Sequence, residues 1–163
     1  MVEQISDVKA PSGFKRWLFR LPLAFYSAGL GWMLGSRFVR IEHTGRVTGK
    51  KRQVVLEVVD SDRPSGVFYV VAAWGDKADW FQNIRVNPKI TYQVGRTQYD
   101  GFAEQVPREQ AAQIFLRYGR KYPRMLQELM RFVGYRVEAS EEAYQELADH
   151  LPVVRLSPGL ERR

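Results

Sequence analysis

The chain has 163 residues, 45% of them hydrophobic and 13% aromatic, which predicts a folded domain with a sizeable core and excludes a disordered chain. It has no cysteine and only two histidines, so disulfides and thiolate chemistry are excluded and a histidine metal site or Ser-His-Asp triad has little support. The formal net charge of +7 favours an acidic partner: an anionic ligand, a nucleic acid or an anionic membrane surface.

The N-terminal region divides into a polar start and an apolar segment. Residues 1–13 are predicted to be loosely ordered, and residues 14–35 carry no charge after Arg20. This segment is short for a membrane-spanning helix, which needs ~20 residues, and Pro22 and several glycines interrupt it. Two interpretations remain: short helices packed on the core or over a pocket, or a helix in a membrane interface. The interruptions favour packing, because they spoil a continuous amphipathic face.

The rest of the chain alternates between strand and helix patterns. Strands are predicted at 38–43, 54–59, 67–73, 90–94, 98–106 and 152–156. Helices are predicted at 76–86, 107–120, 124–132 and 140–150, with Asp76 and Ser140 as N-caps and Pro107 as a first helical residue. This order predicts an α+β fold: an antiparallel barrel of about six strands with helices packed outside it. No linker divides the chain, so residues 1–163 are predicted to form a single domain.

The most informative stretch is residues 43–52, HTGRVTGKKR, which contains four cationic side chains and no acid. Glycine lets the backbone approach a ligand closely, and threonine hydroxyls and free amides donate hydrogen bonds to phosphate oxygens. The pattern is neither a Walker loop nor a Rossmann fingerprint. Two interpretations stay open at this point: a phosphate- or carboxylate-binding loop between two strands, or a solvated hairpin with a basic tip.

Four segments together resemble the deazaflavin-dependent nitroreductase family: HTGRVTGKKR at 43–52, VVAAWG at 70–75, DWFQNIRVNP at 79–88 and YQVG at 92–95. The resemblance covers about residues 36–106. The loop motif and the W-x-x-N motif would each be weak evidence for the family alone. The two motifs at this separation in sequence are specific. The resemblance implies a split β-barrel fold, related to that of flavin-mononucleotide oxidases, with flanking helices.

The same resemblance implies a cofactor and a reaction. In that family the loop holds the phosphate of coenzyme F-420, a deazaflavin with a phospholactyl and polyglutamate tail. Such an anionic tail suits the basic loop. The expected reaction is hydride transfer from the reduced coenzyme to an electron-poor, apolar organic acceptor. The cofactor carries the difficult step, so the protein is expected to supply binding, orientation and a dry pocket, without a recognisable acid–base constellation.

Site residues follow from matching the motifs position by position and including their immediate neighbours. The predicted cofactor-binding residues are Gly45, Arg46, Thr48, Gly49, Lys50, Arg52, Gln53, Val54, Ala72, Trp74, Gly75, Lys77, Trp80 and Asn83. Tyr135 is the candidate for the substrate pocket and for donating a proton, with water as the alternative donor. No metal site is predicted. The aromatic residues and Asn83 also have simpler explanations, as core packing and as a local hydrogen bond near a helix end.

Four residues depart from the family pattern. Val47 stands where some members have lysine, and Lys50-Lys51 stands where members often have an uncharged residue and then proline. Trp74 stands where other members have serine near the reacting carbon. These departures bear on the acceptor range.

Alternative functions remain at this stage. A flavin-mononucleotide oxidoreductase of the same fold would present the same phosphate and ring to the protein. A non-enzymatic carrier of lipids or other apolar ligands would suit the aromatic flanks. Nucleic-acid binding rests on charge alone and is not expected. The expected partners are a small-molecule acceptor and, as a homodimer, a second copy of the chain. The expected location is the cytoplasm, with peripheral membrane contact through residues 14–35 as the alternative to a packed segment.

Overall fold

Nine antiparallel strands organise the computed structural model, which describes residues 1–5 and 35–159. They are β1 (Val2–Gln4), β2 (Phe38–Thr44), β3 (Lys51–Glu57), β4 (Asp60–Asp62), β5 (Val67–Val71), β6 (Lys89–Val94), β7 (Thr97–Gln105), β8 (Tyr135–Val137) and β9 (Val153–Pro158). Seven of them form one sheet in the order β3-β2-β6-β7-β9-β5-β4. The other two, β1 and β8, pair with each other.

The large sheet curls until its edge strand β3 contacts β5, and it encloses an apolar core. Alternate residues of β2, such as Val39 and Ile41, are fully buried there, as strand geometry requires of one sheet face. Tyr92 is also buried in this core, and its hydroxyl donates to the carbonyl of Gly66 at 2.7 Å. The burial of this polar group is therefore compensated by a hydrogen bond.

Within residues 35–159, four α-helices pack outside the barrel: α1 (Asp79–Val86), α2 (Arg108–Lys121), α3 (Pro123–Phe132) and α4 (Glu141–Glu146). Helices α2 to α4 build a second apolar core around Phe115, Leu126 and Leu147. Trp74 packs against both cores and so lies at the junction between barrel and helices. The predicted antiparallel barrel with external helices is confirmed.

Several predicted element boundaries need correction. The sheet has seven strands instead of about six, because Asp60–Asp62, between the strands predicted at 54–59 and 67–73, pairs with β5. Asp76 does not cap a helix: it lies in a 3₁₀ turn, Gly75–Lys77, and α1 begins at Asp79. The Asp76 carboxylate instead accepts a hydrogen bond from Arg85 at 2.7 Å. Pro107 precedes α2 as its N-cap rather than starting it.

Other predictions at the ends of the chain have mixed outcomes. Ser140 caps α4 as predicted, because its hydroxyl accepts from the amide of Ala143 at 3.2 Å. Within the segment expected to be loosely ordered, Val2–Gln4 forms β1. Residues 6–34 lie outside the described residues, so the interpretations of the apolar segment stay predictions.

Candidate active site

A cleft of about 930 Å³ opens between the β2–β3 loop, the edge strand β3, the segment after β5 and the start of α1. Its walls combine a cationic end with an apolar end. The lining residues are His43, Gly45, Arg46, Val47, Thr48, Lys51, Arg52, Gln53, Val54, Val55, Leu56, Val71, Ala73, Trp74, Lys77, Ala78, Asp79, Trp80 and Asn83.

The β2–β3 loop is closed by its own backbone. The amide of Gly45 donates to the carbonyl of Lys50 at 2.8 Å, and the amide of Gly49 donates to the carbonyl of Gly45 at 2.9 Å. Gly49 has φ of +69°, a left-handed conformation that favours glycine. Within the described part of the chain, the amide N–H groups of Val47 and Thr48 have no acceptor. The loop therefore presents two unused backbone donors at the cleft.

The cations of the loop differ in their partners. Lys51 is 79% exposed and forms an ion pair with Glu42 at 3.1 Å. Arg46 pairs with Asp79 at 3.2 Å. For Arg52, by contrast, no described carboxylate lies within ion-pair distance, although its side chain lines the cleft. Arg52 is thus the loop cation best placed to meet an anionic ligand.

Asn83 fastens the loop to α1. Its side chain is buried, and its Oδ1 accepts from the backbone N–H of Arg46 at 3.0 Å and from Arg46 Nη1 at 2.9 Å. Its Nδ2 lies 3.2 Å from Nδ1 of His43. The predicted W-x-x-N asparagine is therefore more than a local helix-end hydrogen bond, since it joins three parts of the cleft.

His43 lies at the end of β2 and is 5% exposed. Burial and, to a smaller extent, the positive charge of Arg52 lower its pKa to about 4, and the charge of Asp79 acts in the opposite direction. The imidazole is therefore neutral near pH 7. His43 is the last residue of the strand predicted at 38–43, and the structure places it in the wall of the cleft.

The other end of the cleft is apolar. Val54 and Leu56 of β3 face Val71, Ala73 and Trp74 around it, a set of aliphatic and aromatic surfaces. Trp80, at the start of α1, is buried, and its ring lies 6.0 Å from that of Phe81. This wall suits a flat apolar group, because it offers apolar contact area and few polar groups that would need hydrogen-bond partners.

Most of the predicted site residues come together in this cleft. Those lining it are Gly45, Arg46, Thr48, Arg52, Gln53, Val54, Trp74, Lys77, Trp80 and Asn83. Gly49 and Lys50 belong to the loop but are not among the lining residues, and Gly75 opens the 3₁₀ turn beneath it. Their individual roles toward the cofactor remain predictions.

Two predicted residues lie elsewhere. Ala72 is fully buried in the barrel core, where its amide donates to the carbonyl of Pro152 at 2.9 Å. Tyr135 is on β8, opposite Gln4, and its ring lies 5.6 Å from that of His150. It does not line the cleft. Any role for Tyr135 toward a substrate stays a prediction.

Sequence interpretation missed several lining residues, among them His43, Val71, Ala73 and Asp79. A signal for His43 exists in the alternation of β2, because a histidine occupies the buried-face position that follows Val39 and Ile41. Val71 and Ala73 lack such a signal, since their side chains are typical of any strand.

The described residues contain neither a candidate metal site nor a helix able to span a membrane. Among residues 1–5 and 35–159, no group of three or more histidine, aspartate or glutamate side chains could hold a metal ion. Nor does this part of the chain contain a helix long and apolar enough to cross a membrane.

Comparison with known proteins identifies the family. The family model for F-420H2-dependent quinone reductase matches residues 19–131, more than half of the chain. The chain belongs to this family. Membership confirms the predicted cofactor, coenzyme F-420, and makes the protein an oxidoreductase that carries out F-420-dependent reduction. It favours this function over the flavin-mononucleotide and non-enzymatic alternatives. No curated protein matches the chain significantly.

Solved structures share the fold. An F-420-H2 dependent reductase (FDR-A) superposes with a TM-score of 0.50 at 21% identity, covering 74% of this chain and 94% of its own. A structure described as a domain-swapped dimer gives 0.51 at 20% identity, covering 83% and 99%. The heme storage protein HutZ from Vibrio cholerae gives 0.52 at 13% identity, covering 82% and 89%. At these identities the similarity shows the fold alone, and that fold is the split barrel.

Proposed function

We propose that this enzyme binds reduced coenzyme F-420 in the cleft between the β2–β3 loop and α1, and reduces an electron-poor, apolar organic acceptor of the quinone class. The observation that carries the proposal is the division of a single cleft into a cationic end with unused donors and an apolar end. A cofactor with an anionic tail and a flat ring requires both.

The cationic end fits the phosphate of the coenzyme. Arg52 faces the cleft without a described carboxylate partner, and arginine binds phosphate bidentately. The free amides of Val47 and Thr48 add donors of the kind that bind phosphate in other backbone loops. Asn83 holds the loop against α1, so these donors are in position before the ligand arrives. Preorganisation of this kind reduces the entropy lost on binding.

The apolar end fits the ring and the acceptor. Leu56, Ala73 and Trp74 provide surfaces that exclude water without placing charges near the reacting atoms. Among the described lining residues Asp79 is the one carboxylate, and it is 85% exposed and paired with Arg46. The chain therefore provides binding, orientation and exclusion of water, whereas the bound coenzyme supplies the hydride.

The test is an anaerobic oxidation assay. Reduced coenzyme F-420 is mixed with the protein and a soluble benzoquinone or naphthoquinone, and its reoxidation is followed by absorbance. We expect turnover that depends on both protein and quinone, and slower turnover of an aromatic nitro compound. A rate equal to that without protein, for every acceptor, would contradict the proposal. A rate higher with the nitro compound would leave the cofactor assignment standing and overturn the quinone class.

A homodimer is also proposed. What supports it is the similarity to the structure described as a domain-swapped dimer. Sedimentation velocity at micromolar concentration should give the mass of two chains, and the mass of one chain across that range would contradict a dimer.

A further inference from the structure

His43 interrupts an apolar pattern at the cleft. Val39, Ile41 and His43 are alternate residues of β2 and share its buried face. Burying an imidazole costs free energy that a valine or isoleucine in its place would not require. The position is directly opposite Arg52 in the β2–β3 pairing and lines the cationic end of the cleft.

Hydrogen bonding fixes which ring nitrogen of His43 carries the proton. Asn83 Oδ1 accepts two bonds from Arg46, so the orientation of the Asn83 amide is determined and its Nδ2 is the atom facing His43. An amide nitrogen only donates, and therefore Nδ1 of His43 must accept. The neutral ring then carries its hydrogen on Nε2.

That Nε2–H has no acceptor among the described residues. The hydrogen bond of His43 to Asn83 uses Nδ1, and the ring, although 95% removed from solvent, lines the cleft. Nε2 is not among the fully buried polar atoms that lack a partner, so it is open to the cleft, and an unused donor at the wall of a binding cleft points to a ligand atom. Arg52, opposite His43 in the pairing, and Arg46, in the hydrogen-bond chain, are both cations, and the carboxylate that also acts on the ring, Asp79, is paired with Arg46. The expected ligand atom is therefore an anionic oxygen.

We propose that Nε2 of His43 donates a hydrogen bond to a phosphate oxygen of the bound coenzyme, and that the chain Arg46–Asn83–His43 holds the ring in the tautomer that makes this possible. The inference rests on the proposed function, because it assigns the phosphate end of the coenzyme to this end of the cleft. It adds a neutral donor to the cations and backbone amides already described there.

A pair of substitutions separates this role from a structural one. His43→Asn keeps an acceptor near the position of Nδ1 for Asn83 but is too short to donate from the position of Nε2. His43→Gln carries an acceptor and a donor and reaches further into the cleft. Each variant and the native protein are titrated with coenzyme F-420 and with the corresponding deazaflavin that ends in its ribityl alcohol and carries no phosphate.

For coenzyme F-420 we expect His43→Asn to lose affinity roughly tenfold or more, as for a hydrogen bond to a charged group, and His43→Gln to lose much less. For the phosphate-free deazaflavin we expect both variants to bind like the native protein. Equal binding of coenzyme F-420 by native protein and His43→Asn would overturn the inference. Equal losses for both ligands would also overturn it, since they would indicate a structural role.

The native protein gives an independent readout if a variant fails to fold. Nitrogen-15 NMR of labelled histidine should show a neutral His43 with its hydrogen on Nε2, and this signal should shift when coenzyme F-420 is added. A hydrogen on Nδ1, or no shift at saturation, would contradict the inference. Native protein that binds neither deazaflavin would overturn the proposed function itself, and with it this inference.

Discussion

Asn83 of α1 accepts two hydrogen bonds from Arg46, one from its backbone N–H at 3.0 Å and one from its Nη1 at 2.9 Å. The two donors belong to a residue 37 positions before the acceptor, so the bonds join the β2–β3 loop to a helix that is distant in sequence. Because both bonds end on one buried oxygen, the loop and the helix keep one relative position. The cationic end of the cleft depends on this connection.

Asn83→Leu removes that connection and keeps the branching of the side chain. We expect a loss of about 1–3 kcal/mol in the free energy of unfolding, because the backbone N–H of Arg46 is left without its acceptor. Affinity for coenzyme F-420 should fall as well, since the loop is no longer held. Urea unfolding and calorimetric titration measure the two effects. Gln82→Leu, one position earlier in α1, is the control, and an equal effect of both changes on affinity would contradict the account.

Arg52 and Lys51 are adjacent cations with different surroundings. Arg52→Ala should cost about 1.5–3 kcal/mol of binding free energy if its guanidinium meets a charged oxygen. Lys51→Ala should cost much less, because Lys51 is exposed and already paired with Glu42. Titration with coenzyme F-420 at low and high salt measures both. Equal and negligible effects would mean that the loop is a solvated hairpin and not a binding site.

Gly49 tests the conformation of the loop. An alanine there meets no atom within 4 Å, so the cost of Gly49→Ala comes from φ of +69° alone and should be about 1–2 kcal/mol of stability. Gly95, in the β6–β7 turn, is a matched control with φ of +58° and equally open surroundings. Both variants should lose similar stability in thermal unfolding. Only Gly49→Ala should lose affinity for the coenzyme, and parallel losses of affinity would exclude a special role for the loop.

His43 predicts how stability depends on pH. Its pKa is near 6.5 in the unfolded chain and about 4 in the folded protein, so the unfolded state binds a proton first as the pH falls. Above pH 6.5 His43 is neutral in both states and does not lower the free energy of unfolding. Between pH 6.5 and 4 the unfolded state gains the proton and the free energy of unfolding falls. The shift corresponds to roughly 3 kcal/mol of unfolding free energy. Unfolding should be measured between pH 4 and 7.5 for native protein and His43→Asn. Parallel curves would contradict a neutral buried His43.

Local patterns were sufficient for much of the fold. The strands predicted at 38–43, 90–94 and 98–106 rest on properties of neighbouring residues, and they appear in the structure as β2, β6 and β7, with β6 and β7 paired. Asp60–Asp62 was missed because three polar residues have no strand pattern of their own and pair only through β5. The start of α1 was misplaced because aspartate is a common N-cap residue, whereas the Asp76 carboxylate accepts a hydrogen bond from Arg85 instead.

The site also has features that local sequence predicts and features that depend on residues distant in sequence. The loop is visible in sequence because its glycines are typical of a turn and its four cations occur together without an acid. The role of Asn83 depends on a loop and a helix far apart in sequence, and no local pattern carries it. His43 was underestimated for the same reason, since its partner is Asn83 and its environment is set by Arg52 across the β2–β3 pairing.

The central claim is that the cleft recognises a deazaflavin with an anionic tail, and competitive calorimetry with coenzyme F-420 and flavin mononucleotide tests it most directly. Both ligands present a phosphate and a tricyclic ring to the same protein, at the same ionic strength. We expect coenzyme F-420 to bind at tens of micromolar or tighter and flavin mononucleotide to bind about tenfold more weakly or worse. No binding of coenzyme F-420 in that range, or tighter binding of flavin mononucleotide, would contradict the account.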